Sequence, residues 1–289
     1  MEKKLQEFNK SKQAAEKQLK IGGAIAIVGA AVFVLLGMSG IALIGLPMVL
    51  GGVIYLGIGS SSFGKLSKRF KTEVLTDLIA SFVDDGVFNP DQGLSLNTVY
   101  ETEFLKRADS YHTEDFLSGS IDGVRFESSD VKLEEKHVEH TKNGTRTYYE
   151  TYFLGRIFRF EFNKSFDGYL QVLEKGKPVS KRRYEKVKLE SIQFNKKFRT
   201  FTTNEHSAFY VLTPHFMESL MTFEQSNKGN ISFIFIYNYL FIGINNFRDT
   251  FELKMFKELN MDSFKEFEKE LGVVKEVISE LKLNRSIYK

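Results

Sequence analysis

His137 and His140 are the only two histidines that lie close together in this chain, with Glu139 between them. The surrounding alternation predicts a strand, on which residues three apart point to opposite faces and cannot share a metal ion. The spacing also differs from the helical pattern in which two histidines four residues apart bind zinc. The sequence therefore predicts no metal site here.

Other polar residues form no recognisable catalytic constellation. Glu114 and Asp115 are adjacent, and sequence neighbours seldom converge on one site, so a helix start or a loop is the simpler interpretation. Phosphate-binding glycine motifs and the nucleophile motif Gly-x-Ser-x-Gly do not occur. Polar residues with Phe-rich neighbours are expected to satisfy buried backbone groups; these are Asn163, Asn195, His206 and His215. Catalytic residues stay unknown, no cofactor is predicted, and a non-enzyme is favoured.

The most basic stretch, residues 175–188, could bind a phosphate or a lipid head group. Its candidate contacts are Lys181, Arg182, Arg183 and Lys186. The alternative is a solvated hairpin tip, which is what charge runs usually form. RNA binding needs aromatic platforms beside the charge, and only Tyr184 offers one. Since the net charge of the chain is only +3, no nucleic-acid partner is predicted.

The elements that carry these residues begin with a long apolar run. Residues 21–64 contain no Asp, Glu, Lys, Arg or His. A bilayer core takes about 20 apolar residues per helix, so this run predicts a two-helix transmembrane hairpin over residues 21–62. Basic residues flank both ends, which predicts that the N- and C-termini are both cytoplasmic. A cleaved signal peptide and a buried helix pair of a soluble protein are alternatives that the length of the run disfavours.

Small residues indicate how the first span packs. Gly22, Ala26 and Ala30 are spaced by four and share one helix face. Small residues at this spacing let helix backbones approach closely in lipid. They predict packing of the first span on the second, or an interface with another copy or a partner helix. No charged residue lies inside the spans, so a path for an ion or substrate is not expected.

Amphipathic helices are predicted at both ends of the chain. Residues 1–20 form a basic one that could lie on an anionic membrane surface, make a helical contact, or remain loosely ordered. Residues 262–283 form the other, opened by a capping box at Ser263 and Glu266. Its apolar residues recur every three or four positions, which favours docking on the sheet or pairing with a partner helix. These residues are Phe264, Phe267, Leu271, Val274, Ile278 and Leu281.

Residues 63–289 predict one cytoplasmic α+β domain, an antiparallel sheet with helices. Alternating residues between 116 and 175, with Asn-Gly at 143–144, predict a hairpin and further strands. A strand is also expected over 189–203, followed by a helix that begins at Pro214 with Thr213 as its N-cap.

Two apolar runs, residues 231–236 and 240–244, are expected to form strands that pair with each other around Asn238. Runs this apolar are typical of strands covered on both faces.

Several short motifs follow one another in an order that is more specific than any one of them. They are Tyr111-x-x-Glu114-Asp115 with Gly119, Phe153-x-Gly155, Phe162-Asn163-Lys164-x-Phe166-x-Gly168, Leu189-Glu190-Ser191-x-x-Phe194-Asn195-x-x-Phe198, and Ala208 with Leu212-Thr213-Pro214-x-Phe216-Met217. Together with the hairpin, and over about residues 63–244, the sequence resembles a bacterial membrane-protein family known only as domain-of-unknown-function family 3137. The resemblance implies a bacterial source and a membrane location, and it transfers no catalytic residue. It also suggests a LemA-like helical membrane protein as a partner.

Two functional hypotheses follow. The first is a non-enzymatic binding or scaffold module, tethered to the membrane and acting at its cytoplasmic face on a helical partner or on itself. The second is an envelope-related enzyme or a lipid head-group-sensing domain at the inner leaflet. A deep polar pocket near Asn163, Asn195 and the basic loop would favour the second hypothesis.

Overall fold

The computed structural model describes residues 2–35, 45–142, 144–180 and 182–283. Side chains are described except those of residues 2–4, 162–165, 261–264, 266 and 270. Several predictions therefore lie outside the described residues: the turn between the two spans, Lys181, the side chains of Asn163 and Phe264, and the capping box.

The chain divides into two compact units. A helical unit consists of Met1–Leu75 and Glu252–Glu268, and a sheet unit consists of Thr76–Phe251 and Lys269–Lys289. These limits differ from the predicted boundary at residues 62 and 63, because the second long helix continues well past that point.

Two long helices build the helical unit, α1 (Glu2–Leu35) and α2 (Gly45–Phe70). A π-helical turn, Lys71–Leu75, follows α2. α1 joins the predicted basic helix and the first span without a break, and α2 continues past residue 62, where the second span was predicted to end. Both helices are long and apolar enough to cross a membrane.

α1 and α2 pack closely through small residues. A Cβ atom on Gly52 would lie 2.5 Å from the backbone nitrogen of Ala26, and one on Gly22 would lie 3.0 Å from the carbonyl oxygen of Gly52. Ala30 is exposed, and Gly29 is buried in its place. The contact therefore follows alternating steps of four and three, because a helix has 3.6 residues per turn and a constant step of four drifts away from it.

The outward sides of both helices remain apolar and uncovered. Ile27 is 72% exposed and Leu35 is 81% exposed, and Leu50, Val53 and Ile54 are exposed as well. Contiguous apolar surface is uncommon on soluble proteins and marks contact with a membrane or a partner. The two helices therefore indicate membrane association.

Among the residues that the structure describes, the sheet unit has seven strands and most of the shorter helices. Its strands are β1 (Asp84–Asn89), β2 (Ser110–Ile121), β3 (Val124–Thr141), β4 (Gly144–Leu173), β5 (Glu185–Val187), β6 (Arg199–Thr202) and β7 (Asn230–Asn245). Its helices are α3 (Thr76–Phe82), α4 (Leu96–Tyr100), α5 (Ile192–Lys197), α6 (Glu205–Val211) and α7 (Pro214–Ser226). The last helix, α8 (Met261–Glu280), begins in the helical unit and ends in the sheet unit.

The strands form one antiparallel sheet in the order β1-β2-β3-β4-β6-β5, with β7 also paired to β4. β4 is 30 residues long and organises the sheet. Its first part pairs with β3, its later part pairs with β7, and its end also pairs with β6. The predicted α+β class, with an antiparallel sheet and two apolar N-terminal helices, is confirmed.

Phenylalanines connect the sheet to the helices beside it. The ring of Phe233 on β7 is fully buried and lies 5.9 Å from both Phe198, which follows α5, and Phe223 on α7. Each aromatic ring buries a large apolar area, so these contacts fix the helical layer on the sheet.

Local signals place several elements correctly. α7 begins at Pro214, and the hydroxyl of Thr213 accepts a hydrogen bond of 3.3 Å from the backbone N–H of Phe216, as the capping pattern predicts. β3 and β4 form a hairpin whose last paired residues are Thr141 and Gly144, at the position of the predicted turn.

The strand predicted over residues 189–203 is wrong. The segment forms α5 followed by the short strand β6. Ser191 caps α5 by accepting a hydrogen bond from the backbone N–H of Phe194. Phe194 and Phe198 are both buried, and their spacing of four is helical, so tertiary burial favours a helical turn over a strand.

The two paired strands predicted around Asn238 are also wrong. They form one strand, β7, which pairs with β4 on both sides of Tyr237. Tyr237 has a backbone φ of 53°, opposite an irregular stretch of β4 between Glu161 and Tyr169. The interruption in the sequence pattern is therefore a kink within the strand and not a hairpin turn.

Candidate functional site

The β3–β4 hairpin extends beyond the rest of the sheet. β2 pairs with β3 only as far as Glu134, and β7 pairs with β4 only from Gly155 onward. Beyond these limits β3 and β4 pair with each other alone, among the strands that the structure describes. We call residues 135–142 and 144–151 the ribbon.

Both edges of the ribbon carry backbone groups that point away from the partner strand. The backbone N–H of Lys136 donates a hydrogen bond of 2.8 Å to the Asp109 carboxylate, so this residue faces outward on β3. In an antiparallel ladder such outward groups recur at every second residue. Val138 and His140 therefore present their N–H and C=O groups at the same edge.

The two faces of the ribbon differ. On one face the rings of His137 and Tyr148 stack with centroids 5.2 Å apart, and the Tyr148 hydroxyl donates to Glu139 at 3.1 Å. That hydrogen bond raises the pKa of Tyr148. On the other face Val138 and Tyr149 are exposed, Tyr149 to 53%. The second face therefore offers uncovered apolar side chains beside a free backbone edge.

The histidine pair lies within this ribbon, on opposite faces as predicted. Nε2 of His137 is 3.2 Å from the Glu150 carboxylate, whereas Nδ1 of His140 is 3.0 Å from the Thr145 hydroxyl. The two imidazoles have different neighbours and do not converge on one site.

Glu134 fixes the base of the ribbon. Its carboxylate lies 2.7 Å from the Lys132 ammonium and accepts hydrogen bonds from the hydroxyls of Thr151, at 3.1 Å, and Ser110, at 3.2 Å. The hydrogen bond from Lys132 is the main reason that the pKa of Glu134 is lowered. These contacts connect β2, β3 and β4 at the point where the ribbon leaves the sheet.

A buried cluster of charged residues crosses the sheet at Arg156. The Arg156 guanidinium donates to Asp130 at 3.1 Å and to the backbone carbonyl of Asp115 at 2.9 Å, and it stacks 4.5 Å from the Phe251 ring. The other oxygen of Asp130 accepts a hydrogen bond of 2.7 Å from the backbone N–H of Thr250. Both oxygens of Asp130 are therefore in use, and the cluster stabilises the fold.

The predicted loop or helix start at Glu114 and Asp115 is wrong, because both residues lie in β2 where its register shifts. Asp115 is buried with a backbone φ of 55°, and its carboxylate lies within 4.8 Å of those of Asp130 and Asp249. Carboxylates this close could bind a cation, but the Arg156 guanidinium already supplies positive charge to Asp130.

Part of the basic loop is bound to other residues of the sheet unit. Arg182 donates to Glu103 at 2.8 Å and lies 4.3 Å from the Tyr169 ring, and the Tyr184 hydroxyl donates to Glu103 at 2.8 Å. The hydrogen bond to Glu103 raises the pKa of Arg182. Arg183 and Lys186 are exposed. The loop is therefore anchored through Arg182, and the other two cations remain the candidate contacts for a phosphate.

A cleft of about 400 Å³ is lined by residues of β1, β2, β3, β4 and β7. Arg159 crosses it, 3.9 Å from the Tyr239 ring and 3.1 Å from the Glu127 carboxylate. The lining also contains Arg125, Asp85 and Glu161. The lining therefore contains three carboxylates and two guanidinium groups. Because negative and positive groups are mixed, the cleft does not favour an anionic ligand.

The remaining predicted polar residues have structural or surface positions. The Asn195 amide donates to the carbonyls of Leu189, at 2.6 Å, and Ser191, at 2.8 Å, which satisfies backbone groups as expected. His206 and His215 are exposed on α6 and α7, so the expectation of buried histidines is wrong. The Asn195 amide is therefore bound to backbone carbonyls and gives no support to the polar pocket that would favour the second hypothesis.

The apolar side of α8 is covered. Phe267 packs on Phe70 within the helical unit, with ring centroids 5.4 Å apart. In the sheet unit, the amide of Asn227 at the end of α7 donates to Glu276 of α8 at 3.3 Å. The predicted contact residues after Phe267 are all buried; they are Leu271, Val274, Ile278 and Leu281.

Sequence reasoning found the hairpin turn but missed the ribbon and the Arg156–Asp130 pair. The ribbon depends on where β2 and β7 stop, which no local pattern reports. The sequence contains one signal for the Arg156–Asp130 pair. Arg156 is a charged residue inside an apolar strand, and such a residue requires a buried partner.

Comparison with known proteins gives one family and one weak structural likeness. Residues 151–283 match the model of a family described as "Protein of unknown function (DUF3137)". No curated protein matches the chain. Among solved structures, the chain is similar to the crystal structure of the mycobacterial trehalose monomycolate transport factor A, TtfA, at 8% identity and a TM-score of 0.38. That similarity covers 77% of this chain and 98% of the other, and it is too weak to support an argument.

The family match covers most of β4 and every element from β5 to α8. The motifs around Tyr111 and Gly119 lie before it. The predicted resemblance to this family of unknown function is therefore confirmed over residues 151–283.

Proposed function

We propose that this protein is a membrane-tethered, non-enzymatic binding module, in which the helical hairpin is the anchor and the ribbon binds a protein partner by strand addition. The observation that carries the proposal is the ribbon, whose two strands have backbone edges that β2 and β7 leave uncovered. An uncovered strand edge is a template on which another extended chain can pair.

The membrane anchor is supported by the apolar surface of α1 and α2. Side chains such as Ile27 and Leu35 gain no burial from the fold, and a bilayer would bury them. Basic residues at both flanks favour an orientation with the N- and C-termini in the cytoplasm of a bacterial cell. The sheet unit would then face the cytoplasm.

The non-enzymatic assignment is supported by how the polar groups of the sheet unit are used. Arg156 is bound to Asp130, Arg182 is bound to Glu103, and the Asn195 amide is bound to backbone carbonyls. Each of these groups stabilises the fold, and none of them converges with a second group on an open site.

Strand addition has a defined register on β3. The N–H of Lys136 is already bonded to Asp109, so Val138 and His140 present the outward N–H and C=O groups for a partner. Val138 and Tyr149 add exposed apolar side chains beside them. Main-chain hydrogen bonds would give affinity, and the apolar side chains would give selectivity. A LemA-like membrane protein or a second copy of this chain is a candidate partner, provided that it offers an extended segment.

Site-specific photocrosslinking in native membranes tests this function. A photoreactive residue replaces Tyr149 in the full-length chain, and the control carries it at Ile192, which is exposed on α5. We expect a discrete protein adduct from position 149 and none from position 192. Equal, diffuse labelling at both positions would contradict a binding role for the ribbon.

A pair of variants tests the mode of binding. Val138→Pro removes an outward N–H while the internal hydrogen bonds of the ribbon remain, because proline is tolerated at an edge. Val138→Thr keeps the N–H and the branched shape. We expect the adduct from position 149 to fall about tenfold with proline, as the loss of about 1.4 kcal/mol would produce, and to persist with threonine. An adduct that survives Val138→Pro would rule out pairing at the β3 edge.

The alternative, a lipid head-group-sensing domain or an envelope-related enzyme, rests on the exposed Arg183 and Lys186 of the basic loop. Crosslinks from the basic loop to lipid, together with none from the ribbon to protein, would favour this alternative.

A further inference from the structure

A short turn in the helical unit exposes two apolar side chains. Residues 254–257 read Lys-Met-Phe-Lys, and we call them the tip. Met255 is 46% exposed and Phe256 is 56% exposed, whereas Leu253 and Leu259 on either side are buried. The tip therefore projects from a segment that is itself held in the fold.

The segment is fastened to both long helices. The Asn9 side chain donates to the Leu259 carbonyl at 2.6 Å and accepts from the Leu259 N–H at 3.0 Å. At the other end of the segment, Glu252 forms an ion pair with Lys71 just after α2. These contacts fix the segment before and after the tip.

The tip itself is held in a particular conformation. The backbone N–H of Phe256 donates a hydrogen bond of 2.6 Å to the Glu16 carboxylate, and Glu16 is itself paired with the buried Lys12. Phe256 has a backbone φ of 59°, which is unfavourable for a bulky residue and persists only where surrounding contacts impose it. The structure thus maintains a strained backbone that keeps the Phe256 ring in the open.

The tip lies beside the point along α1 where its apolar part begins. The Lys20 ammonium is 5.1 Å from the centre of the Phe256 ring, and Ile21, the next residue, opens the uncharged run. Glu16 precedes Ile21 by five residues, or roughly 8 Å at 1.5 Å per residue. The exposed Phe256 ring therefore lies beside Lys20, at the level on α1 where the uncharged run begins.

We infer that Met255 and Phe256 insert into the head-group region of the bilayer that the hairpin spans, beside the lysines at positions 20, 254 and 257. Apolar side chains that flank basic residues bind this way at anionic interfaces. The inference rests on the proposed membrane anchor and adds a second, interfacial contact to it. The tip would fix the helical unit against the membrane surface.

The experiment uses single-cysteine variants of the full-length chain, since the native sequence contains no cysteine. Phe256→Cys and Met255→Cys report on the tip, Ile27→Cys reports on the hairpin, and Gln13→Cys marks an exposed position on α1 two turns before Lys20. Each variant carries the fluorophore NBD in proteoliposomes of phosphatidylglycerol and phosphatidylcholine. Lipids with a spin label near the head group or deep in the acyl chain quench the fluorescence according to depth.

We expect at least twofold quenching of the labels at 255 and 256 by the shallow spin label, with a blue-shifted emission, and no quenching at position 13. The label at 27 should be quenched by the deep spin label. Quenching at 27 without quenching at 255 or 256 overturns the insertion of the tip and leaves the anchor intact. Absence of quenching at 27 overturns the anchor itself, and the tip inference with it.

Discussion

At the scale of single residues, Arg156 and Asp130 neutralise each other inside the sheet unit. Arg156 is buried, yet its guanidinium bonds to Asp130, to the Asp115 carbonyl and to the Ser128 hydroxyl, and it stacks on Phe251. A buried ion pair stabilises a fold little more than two apolar side chains in the same place would. Removal of one partner alone, however, leaves a buried charge without compensation and destabilises the fold. The pair therefore makes the fold sensitive to single substitutions on either side.

Arg156→Met tests this dependence. It leaves Asp130 buried without its counter-charge, so we expect a loss of about 3–5 kcal/mol in the free energy of unfolding. Arg125→Met, at an exposed arginine of the cleft, is the control and should change stability by less than about 0.5 kcal/mol. Urea denaturation of the full-length chain in detergent measures both. Equal effects for the two variants would contradict the role given to Arg156.

Tyr111 gives a pH-dependent prediction. Burial raises the pKa of its phenol to about 12 from the usual value of 10, while its hydroxyl donates to the Leu94 carbonyl at 2.8 Å. The folded state holds the phenol proton more tightly than the unfolded state does, so this phenol contributes to the free energy of unfolding. That contribution is complete below pH 10 and is lost as the pH rises through about 12.

Tyr111→Phe should remove this contribution and make stability fall less steeply between about pH 10 and pH 12. Urea denaturation across that range measures the slope, with Tyr149→Phe at the exposed ribbon residue as the control. A slope unchanged by Tyr111→Phe would show that other groups dominate alkaline unfolding.

At the scale of elements, two pairings define the molecule: α1 with α2, and β3 with β4. The helix pair depends on glycines that bring the backbones together, and the strand pair depends on a hairpin that extends past its neighbours. The first pairing builds the anchor, and the second builds the proposed binding surface.

The helix pairing predicts different outcomes at two adjacent glycines. A side chain at Gly52 meets the backbone of α1 at 2.5 Å, whereas one at Gly51 has nothing within 4 Å. We expect Gly52→Leu to destabilise the hairpin by about 1–3 kcal/mol through overpacking, and Gly51→Leu to be tolerated. Thermal unfolding in detergent, followed by far-ultraviolet circular dichroism, compares them. The glycine contact would be refuted if both variants unfolded alike.

Elements set by local chemistry were predictable from the sequence. The uncharged run of residues 21–64 marked the two helices, Thr213-Pro214 marked the start of α7, and Asn-Gly marked the β3–β4 turn. Residues 189–203 were mistaken for a strand because the burial of Phe194 and Phe198 overrides the local alternation. β7 was divided in two because a kink at Tyr237 has the same local signal as a turn.

The candidate site was less predictable, because it depends on partners that are distant in sequence. Arg156 and Asp130 face each other only once the register of β3 and β4 is known. The tip at Phe256 is positioned by Glu16, which is 240 residues away. No periodicity in residues 252–260 reports that contact.

At the scale of the whole molecule, each unit has one proposed task. The helical unit would hold the chain in a membrane, and the sheet unit would present the ribbon to a partner. The family match covers residues 151–283, and it adds no activity to this assignment. The central claim is therefore a topological one, that the ribbon lies on the side of the membrane opposite to the turn of the hairpin.

Labelling of single cysteines with a membrane-impermeant maleimide tests that claim most directly. Ser39→Cys lies between the two spans in the sequence, and Val138→Cys lies on the ribbon. The account predicts that intact spheroplasts label position 39 and not position 138, and that inverted membrane vesicles give the reverse. Labelling of both positions from the same side would contradict the proposed anchor and the function built on it.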